Sequence, residues 1–219
     1  MLVTAQMCGS GQESSSISGK RRSSGELRRR RWADARKKGK ELEQQLGIEV
    51  ECVDCARMDR PAEEYETPLA TAECIWVAGG NTFFLWYWMK RSGVDALLRQ
   101  RILEDGAVYV GQSAGSIVAG ATIRPAFWKG WDDPAAAPED AGWDEESNLA
   151  AMGLVPDAAF FPHYEAEQWA SLVEERRGEV APARVVCLTD DGEGSVVCGD
   201  VEDEDALSEA GTEHQDGDR

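Results

Sequence analysis

Ala107-Val-Tyr-Val-Gly-Gln-Ser-Ala-Gly-Ser-Ile-Val-Ala119 is the stretch of the chain that decides its fold. The first five residues form a compact apolar run, which predicts a buried parallel strand ending at Gly111. The last four residues predict a helix. Strand and helix are separated only by residues 112–115, so the chain must turn tightly there, and its small residues meet that steric demand.

The segments around this stretch repeat the same alternation of strands and helices. Strands are predicted at residues 2–5, 48–53, 74–78, 107–111, 159–162, 184–188 and 195–198. Helices are predicted at residues 28–46, 83–90, 94–104, 116–119 and 165–177. Residues 57–68 favour a loop or irregular helix, and residues 124–147 favour a long surface loop of the kind that often has a function. The pattern predicts an α/β fold with a mostly parallel sheet.

Length and charge limit the domain organisation and the partners. The 219 residues favour one domain at residues 31–200. An irregular basic segment with a possible short strand precedes it at residues 1–30, and a disordered acidic tail follows at residues 201–219. A net charge of -18 argues against nucleic acid as a partner. No apolar run approaches the ~20 residues that span a bilayer, so we expect a cytoplasmic protein without a membrane partner.

The cysteines do not form a recognisable metal or redox site. Cys52-Val-Asp-Cys55 has CxxC spacing, but a zinc site needs two further ligands, and the sequence offers no second CxxC or histidine pair. A thioredoxin-type site needs the pair to open a helix after a strand. We therefore expect reduced thiols, no metal and no cofactor.

Ser113 is the candidate nucleophile. Gly111-Gln-Ser-Ala-Gly115 is a GxSxG motif between a predicted buried strand and a predicted helix, which is the context of a nucleophile elbow. The helix that follows directs free N–H groups and a positive dipole end towards the serine. The alternative is an ordinary glycine turn in which Ser113 caps the helix.

His163 is the candidate base, because a serine hydroxyl is a poor nucleophile without one. The chain has two histidines, and His214 lies in the acidic tail, where a fixed geometry is implausible. His163 follows a predicted strand, at the sheet edge where enzymes of this class place functional groups.

The third member of a triad would be an acid that orients the histidine. Asp190 and Asp191 follow the predicted strand at residues 184–188, and Asp190 is favoured, with Asp191 as the alternative. This gives the chain order Ser, His, Asp. The order Ser, Asp, His, found in α/β-hydrolases, would instead require Asp133, Asp144 or Asp157.

Two backbone amides are candidates for the oxyanion hole that acyl transfer requires. Gly79-Gly80-Asn81-Thr82 follows a predicted buried strand, and the Gly80 amide with the Ala114 amide is the expected pair. Phosphate cradling would need G-x-G-x-x-G or G-K-[ST], and neither motif is present.

Together these motifs resemble the peptidase E family of serine peptidases, which includes α-aspartyl dipeptidases and cyanophycinases. The similarity spans residues 31–200, and the matching stretches are Val77–Phe83, Gly111–Ser116, Phe161–Tyr164 and Leu188–Asp191. The resemblance implies a three-layer fold like that of class I glutamine amidotransferases, with serine in place of cysteine. Family members usually open with two strands before the equivalent of Cys52, whereas here only Leu2 to Ala5 could serve.

Carried onto this sequence, the resemblance implies Ser113 as nucleophile, His163 as base and Asp190 as the acid. It implies that Asn81 contacts the substrate and that an arginine beyond the histidine, Arg176 or Arg177, reads an aspartate side chain. The expected function is hydrolysis of short peptides, including Asp-X dipeptides, through an acyl-enzyme. The alternatives are another serine hydrolase, such as an esterase or cyanophycinase-like enzyme, and an inactive binding protein on the same fold.

Overall fold

The strands of the computed structural model lie in two parallel sheets. The structure describes residues 2–5, 24–56 and 63–191. One sheet has the order β2-β1-β3-β4 and the other the order β5-β6, and all paired neighbours are parallel. The strands are β1 (Leu2–Ala5), β2 (Val50–Val53), β3 (Cys74–Val77), β4 (Val108–Gly111), β5 (Ala158–Phe161) and β6 (Arg184–Cys187).

Helices connect these strands, as the parallel pairing requires. They are α1 (Ser24–Leu46), α2 (Glu63–Thr71), α3 (Thr82–Ser92), α4 (Val94–Leu103), α5 (Ala114–Ala119), α6 (Glu146–Leu149) and α7 (Ala166–Arg176). Short 3-10 helices cover residues 124–127, 134–136, 139–141 and 177–180. The α/β fold predicted from the sequence is therefore observed.

The larger sheet carries helices on both faces. Ile75 and Val77 of β3 are fully buried in the main core with side chains of α3, α4 and α5. On the opposite face α1 lies close to β2, since a Cβ atom on Gly39 would be 3.1 Å from the Cys52 sulfur. Successive strand residues point to opposite faces, so this alternation buries apolar side chains in both directions.

The junction between β4 and α5 depends on close backbone packing. A Cβ atom on Gly115 would lie 2.0 Å from the carbonyl oxygen of Val77, and one on Gly111 would lie 2.8 Å from the carbonyl oxygen of Gly115. The Tyr109 hydroxyl donates a 2.7 Å hydrogen bond to the Gly115 carbonyl. The glycines of the motif are therefore required so that α5 can approach β3.

Two elements differ from the sequence expectation. The strand at β4 was expected to be buried, yet Val108 is 57% and Val110 39% exposed. Among the described strands, β4 is at the end of the larger sheet and pairs with β3 alone. Residues 63–68, part of the segment expected as a loop or irregular helix, belong to the helix α2, which contains Pro68. Neither difference is visible in the local apolar pattern.

The segment at residues 124–147 was predicted to lie on the surface, and part of it also packs against the core. Trp128 and Ala141 are buried. The Phe83 ring contacts those of Phe127 and Trp143, with centroid distances of 4.5 Å and 5.4 Å. The Trp and Ala residues of this segment supply the apolar surface that lets an irregular chain join the core.

The folded unit begins before the boundary expected at residue 31. β1 lies between β2 and β3 in the larger sheet, and α1 begins at Ser24. The predicted strand at residues 195–198 and the acidic tail at residues 201–219 lie outside the described residues. No helix in the described part of the chain is long and apolar enough to cross a membrane.

Candidate active site

Residues that follow β3, β4, β5 and β6 meet at one cleft, as expected for the carboxyl ends of parallel strands. The cleft has a volume of about 290 Å³. Its polar lining consists of Gly80, Ser113, Lys129, Asp132, His163, Glu165 and Asp190. Its apolar lining consists of Ile117, Pro125, Ala126, Trp131, Phe161 and Pro162.

Ser113 stands at the turn between β4 and α5 in a strained backbone conformation. Its φ and ψ angles are 52° and -112°. A residue other than glycine at positive φ is uncommon, and such strain is concentrated at functional sites. Glycine is also required opposite the serine, because a Cβ atom on Gly79 would be 3.0 Å from the Ser113 Cβ atom. This is the geometry expected of a nucleophile elbow.

His163 connects the serine to Asp190 through a continuous chain of hydrogen bonds. The distance between His163 Nε2 and Ser113 Oγ is 2.8 Å, and His163 Nδ1 lies 2.8 Å from both carboxylate oxygens of Asp190. A carboxylate can only accept hydrogen bonds, so Nδ1 carries the proton and donates a hydrogen bond to Asp190. Nε2 is then the unprotonated nitrogen that accepts from the serine hydroxyl.

The parallel register of β5 and β6 brings this pair together. Phe161 is aligned with Cys187, and two further backbone bonds continue the pairing past both strands. The Leu188 N–H donates to the Phe161 carbonyl at 3.0 Å, and the Tyr164 N–H donates to the Leu188 carbonyl at 2.8 Å. The residues after the two strands therefore advance together, which places the histidine ring beside the carboxylate two residues past Leu188.

Asp190, and not the alternative Asp191, makes the bond to the histidine. The Asp190 side chain is 69% exposed and that of His163 is 37% exposed. The pair is therefore open to water, and its alignment depends on the neighbouring backbone more than on burial.

The two amides expected to form an oxyanion hole belong to Gly80, after β3, and to Ala114, after Ser113. Gly80 lines the cleft at the end of β3 with a φ angle of 154°, which side-chain-bearing residues rarely adopt. Ala114 is the first residue of α5, directly after Ser113. Within the described residues, neither N–H group has a backbone acceptor. Their role in an oxyanion hole stays a prediction.

Asn81, which was expected to contact a substrate, is not among the residues that line the cleft. Its side chain is fully buried. Its Oδ1 atom accepts a bond from the Phe84 N–H at the start of α3, and its Nδ2 group donates to the Asp133 carbonyl at 3.0 Å. The residue is a helix cap that also anchors the loop at Asp133, because both of its polar groups are used inside the protein.

Arg177 is also absent from the cleft lining. It begins the 3-10 helix after α7, is 65% exposed, and pairs with Glu174 at 2.9 Å. The neighbouring Arg176 pairs with Glu179 at 3.5 Å. Neither arginine lines the cleft, and each is paired with a glutamate within one helical turn.

The segment at residues 124–147 supplies cleft residues that the motifs did not indicate. Asp132 accepts a 2.5 Å hydrogen bond from the Thr82 hydroxyl at the start of α3. Lys129 donates to backbone carbonyls beside the histidine. Only the unusual length and aromatic content of the segment pointed to a function. No group of three or more His, Cys, Asp or Glu side chains within residues 2–5, 24–56 and 63–191 could hold a metal ion.

The CxxC pair also lies away from the cleft. Cys55 is buried, and this burial raises the pKa of its thiol to about 12. The Cys52 thiol donates a weak 3.9 Å hydrogen bond to the Ala35 carbonyl of α1. A thiol with so high a pKa is a poor nucleophile and a poor metal ligand, so packing accounts for Cys55.

Comparison with known proteins agrees with this geometry. The model of Peptidase family S51 matches residues 30–202, and the chain belongs to that family. It is 33% identical to the uncharacterized peptidase Lin0382 of Listeria innocua over 126 residues, which are 58% of this chain and 54% of that protein. It is 32% identical to peptidase E of Salmonella arizonae over 154 residues, which are 70% of this chain and 57% of that protein.

A solved structure shares the fold. The crystal structure of a protein described as a candidate peptidase E from Listeria monocytogenes EGD-e matches with a TM-score of 0.58 and 26% identity. The match covers 86% of this chain and 77% of that structure. The chain spans little more than half the length of the two curated relatives above, so their activities are carried over only as a proposal.

Proposed function

We propose that this protein is a serine peptidase that hydrolyses short peptides through an acyl-enzyme on Ser113. The observation that carries the proposal is the unbroken hydrogen-bonded chain from Ser113 Oγ through His163 to Asp190, with 2.8 Å at each link. A serine, a base and an acid in this geometry form a catalytic triad, whatever their order in the chain. Membership of Peptidase family S51 supports the same reaction class.

In the first step, Ser113 Oγ attacks the carbonyl carbon of the scissile peptide bond. His163 Nε2 takes the hydroxyl proton as the Oγ–C bond forms, and the electron pair of the C=O bond moves onto the oxygen. The carboxylate of Asp190 stabilises the resulting imidazolium through the bond to Nδ1. Without this base a serine hydroxyl would be mostly protonated and weakly nucleophilic.

The Gly80 and Ala114 amides would receive the developing oxyanion. Preorganised donors of this kind contribute ~3 kcal/mol each to transition-state stabilisation. The Ala114 N–H directly follows the nucleophile, and Gly80 lies three residues past the end of β3, so the two donors come from different parts of the backbone. Glycine at position 80 lets the N–H adopt an orientation that a side chain would hinder.

The intermediate then collapses and the C–N bond breaks, while His163 returns its proton to the leaving amine. Water replaces the amine, gives a proton to His163 Nε2 and attacks the ester carbonyl. A second collapse releases the carboxylic acid and restores the Ser113 hydroxyl.

We also propose that the fold is that of class I glutamine amidotransferases, which place a cysteine where this chain has the serine.

The charged residues of the cleft lining bear on the substrate class. Among the described lining residues the one lysine or arginine is Lys129, and its ammonium already donates to two backbone carbonyls. An aspartate side chain would therefore meet no uncommitted lysine or arginine there. We propose short peptides as the substrate class. The rate of hydrolysis of Asp-X dipeptides should be compared with that of dipeptides in which an apolar residue replaces the aspartate.

A fluorophosphonate probe tests the nucleophile. The wild-type protein should be labelled, and Ser113→Ala and His163→Ala should not. Ser116→Ala is the matched control, because that hydroxyl lies three residues away and bonds to the Gly111 carbonyl at 2.9 Å. A folded wild-type protein that remains unlabelled would refute the proposal, and equal labelling of Ser113→Ala would refute the nucleophile assignment.

A further inference from the structure

Lys129 makes an unusual set of contacts directly behind the histidine of the cleft. Its ammonium donates to the Pro162 carbonyl at 2.6 Å and to the His163 carbonyl at 2.7 Å. These are the carbonyls of the peptide units on either side of the histidine Cα atom. One side chain therefore holds the backbone both before and after the candidate base.

The two carbonyls can share one cation only because the backbone turns at His163. In an extended strand, consecutive carbonyls point in opposite directions. His163 instead has a φ angle of 54°, in the left-handed region that residues other than glycine seldom occupy. Strained conformations of this kind persist where surrounding contacts determine them, and the ammonium is such a contact.

Three aromatic rings fix the position of the ammonium. The Nζ atom lies 4.3 Å from the ring centroids of Trp131 and Phe161 and 4.9 Å from that of Trp169. Cations over aromatic faces at such distances are attracted by the ring quadrupole. The lysine is thus held by three ring contacts as well as by its two hydrogen bonds.

We propose that Lys129 is a positioning residue that holds the His163 ring in line between Ser113 and Asp190. The inference rests on the proposed function, because it assigns a role in orienting the base of that reaction. It adds a fourth residue to the site, from a segment that contributes none of the recognised motifs. Lys129 acts through the histidine backbone and need not touch the substrate.

Replacing the ammonium tests this role. Lys129→Met keeps a long apolar side chain but removes every donor, and Lys129→Arg keeps the charge. Lys90→Met is a matched control, because the Lys90 ammonium also lies over two tryptophan rings, at 5.5 Å each, and donates to the Asn148 carbonyl, yet does not line the cleft.

We expect Lys129→Met to lower kcat by ~100-fold, because displacements of about 1 Å in a catalytic group cost that much. KM should change less than about twofold, since the substrate is not the contact that is lost. Lys90→Met should keep the wild-type kcat. A rise in KM at constant kcat would overturn the proposal and assign the ammonium to substrate binding instead.

The pH dependence gives a second readout that a purely structural role would not move. Burial lowers the pKa of Lys129 to about 8, while the charges of Asp190, Cys187 and Glu165 act in the opposite direction. The ammonium therefore loses its proton as the pH rises through about 8, and its charge-assisted hydrogen bonds weaken. Activity should fall on that alkaline side.

In Lys129→Arg the guanidinium stays charged, so the alkaline fall should move upward by at least one pH unit. Cys187→Ser is the control for the neighbouring thiol, whose pKa is raised by burial. If the alkaline fall disappears in Cys187→Ser and persists in Lys129→Arg, the thiol is responsible and the pH argument for Lys129 is wrong.

Crystal structures of the wild type and Lys129→Met separate this inference from the proposed function. The separation of 2.8 Å between His163 Nε2 and Ser113 Oγ should lengthen in the variant. If the fluorophosphonate probe does not label the wild type but the separation lengthens in Lys129→Met, the peptidase is refuted and the positioning role is retained. Unchanged geometry and unchanged kcat would overturn the positioning role alone. If Lys129→Met does not fold, an unshifted pH profile in Lys129→Arg is the overturning result.

Discussion

The nucleophile and the base of the cleft are held by different kinds of contact. Ser113 stands between β4 and α5, where residues of α5 are buried in the main core and glycine backbones are in direct contact. His163 and Asp190 follow the separate two-stranded sheet and are partly open to water. Steric exclusion therefore fixes the serine, whereas hydrogen bonds and charge fix the base.

This difference predicts two kinds of sensitivity to mutation. A change near the serine should act first on folding, because there is no space for an added atom. A change near the histidine should act first on catalysis, because its exposed partners contribute little to stability. Variants that separate activity from stability can test the distinction.

The largest effect should come from Asp190→Asn. The amide cannot stabilise the imidazolium, so we expect kcat to fall by roughly 10³- to 10⁴-fold. The free energy of unfolding should change by less than about 1 kcal/mol, since exposed ion pairs contribute that little. Steady-state kinetics and urea unfolding of the same preparation give both values.

Asp191→Asn is the matched control for that variant, and its kcat should stay within about threefold of the wild type, since surface substitutions away from a site change little. A larger loss in Asp191→Asn than in Asp190→Asn would exchange the two roles and contradict the observed hydrogen bonds.

Gly115→Ala should have the next largest effect, and on stability. The added Cβ atom would lie 2.0 Å from the Val77 carbonyl oxygen, so the helix or the strand must shift. Overpacking of this kind costs ~1–3 kcal/mol or more. Thermal or urea unfolding measures the loss, and Gly178→Ala, where nothing lies within 4 Å of an added Cβ atom, is the control. Equal stability of the two variants would show that the junction is not tightly packed.

The three residues that were expected to be neighbours, and that hydrogen bonds join, share one property: each lies two or three residues past the end of a strand. Ser113, His163 and Asp190 could be brought together from the sequence because the carboxyl ends of parallel strands meet at one edge of a sheet. Lys129 could not be placed in this way. It lies in an irregular segment whose path is set by tertiary packing of its aromatic side chains.

Two residues that were expected to contact a substrate lie outside the cleft lining for physical reasons. Asn81 follows a strand as well, but its side chain turns inward to cap α3 and bind the Asp133 carbonyl. Arg177 lies in the expected region of sequence, yet Glu174 is one helical turn away and pairs with it. Burial and local pairing compete with a functional role, and neither can be judged from position along the chain.

The smallest effect should come from Arg177→Ala. Its exposed ion pair with Glu174 contributes less than about 1 kcal/mol, and the side chain does not line the cleft. We expect kcat/KM for Asp-X dipeptides and for apolar dipeptides to change by less than about twofold. A selective loss of activity on Asp-X dipeptides would restore the arginine to the specificity site and correct the description of the cleft.

Trapping the acyl-enzyme would show directly whether Ser113 is the nucleophile. The protein would be mixed with an activated ester of a short peptide, quenched in acid within milliseconds to seconds, and mapped by mass spectrometry after proteolysis. We expect one acyl group, on the proteolytic peptide that contains Ser113, and no acyl group in Ser113→Ala. Turnover of the ester with no adduct on Ser113, or an adduct on another residue that persists in Ser113→Ala, would contradict it.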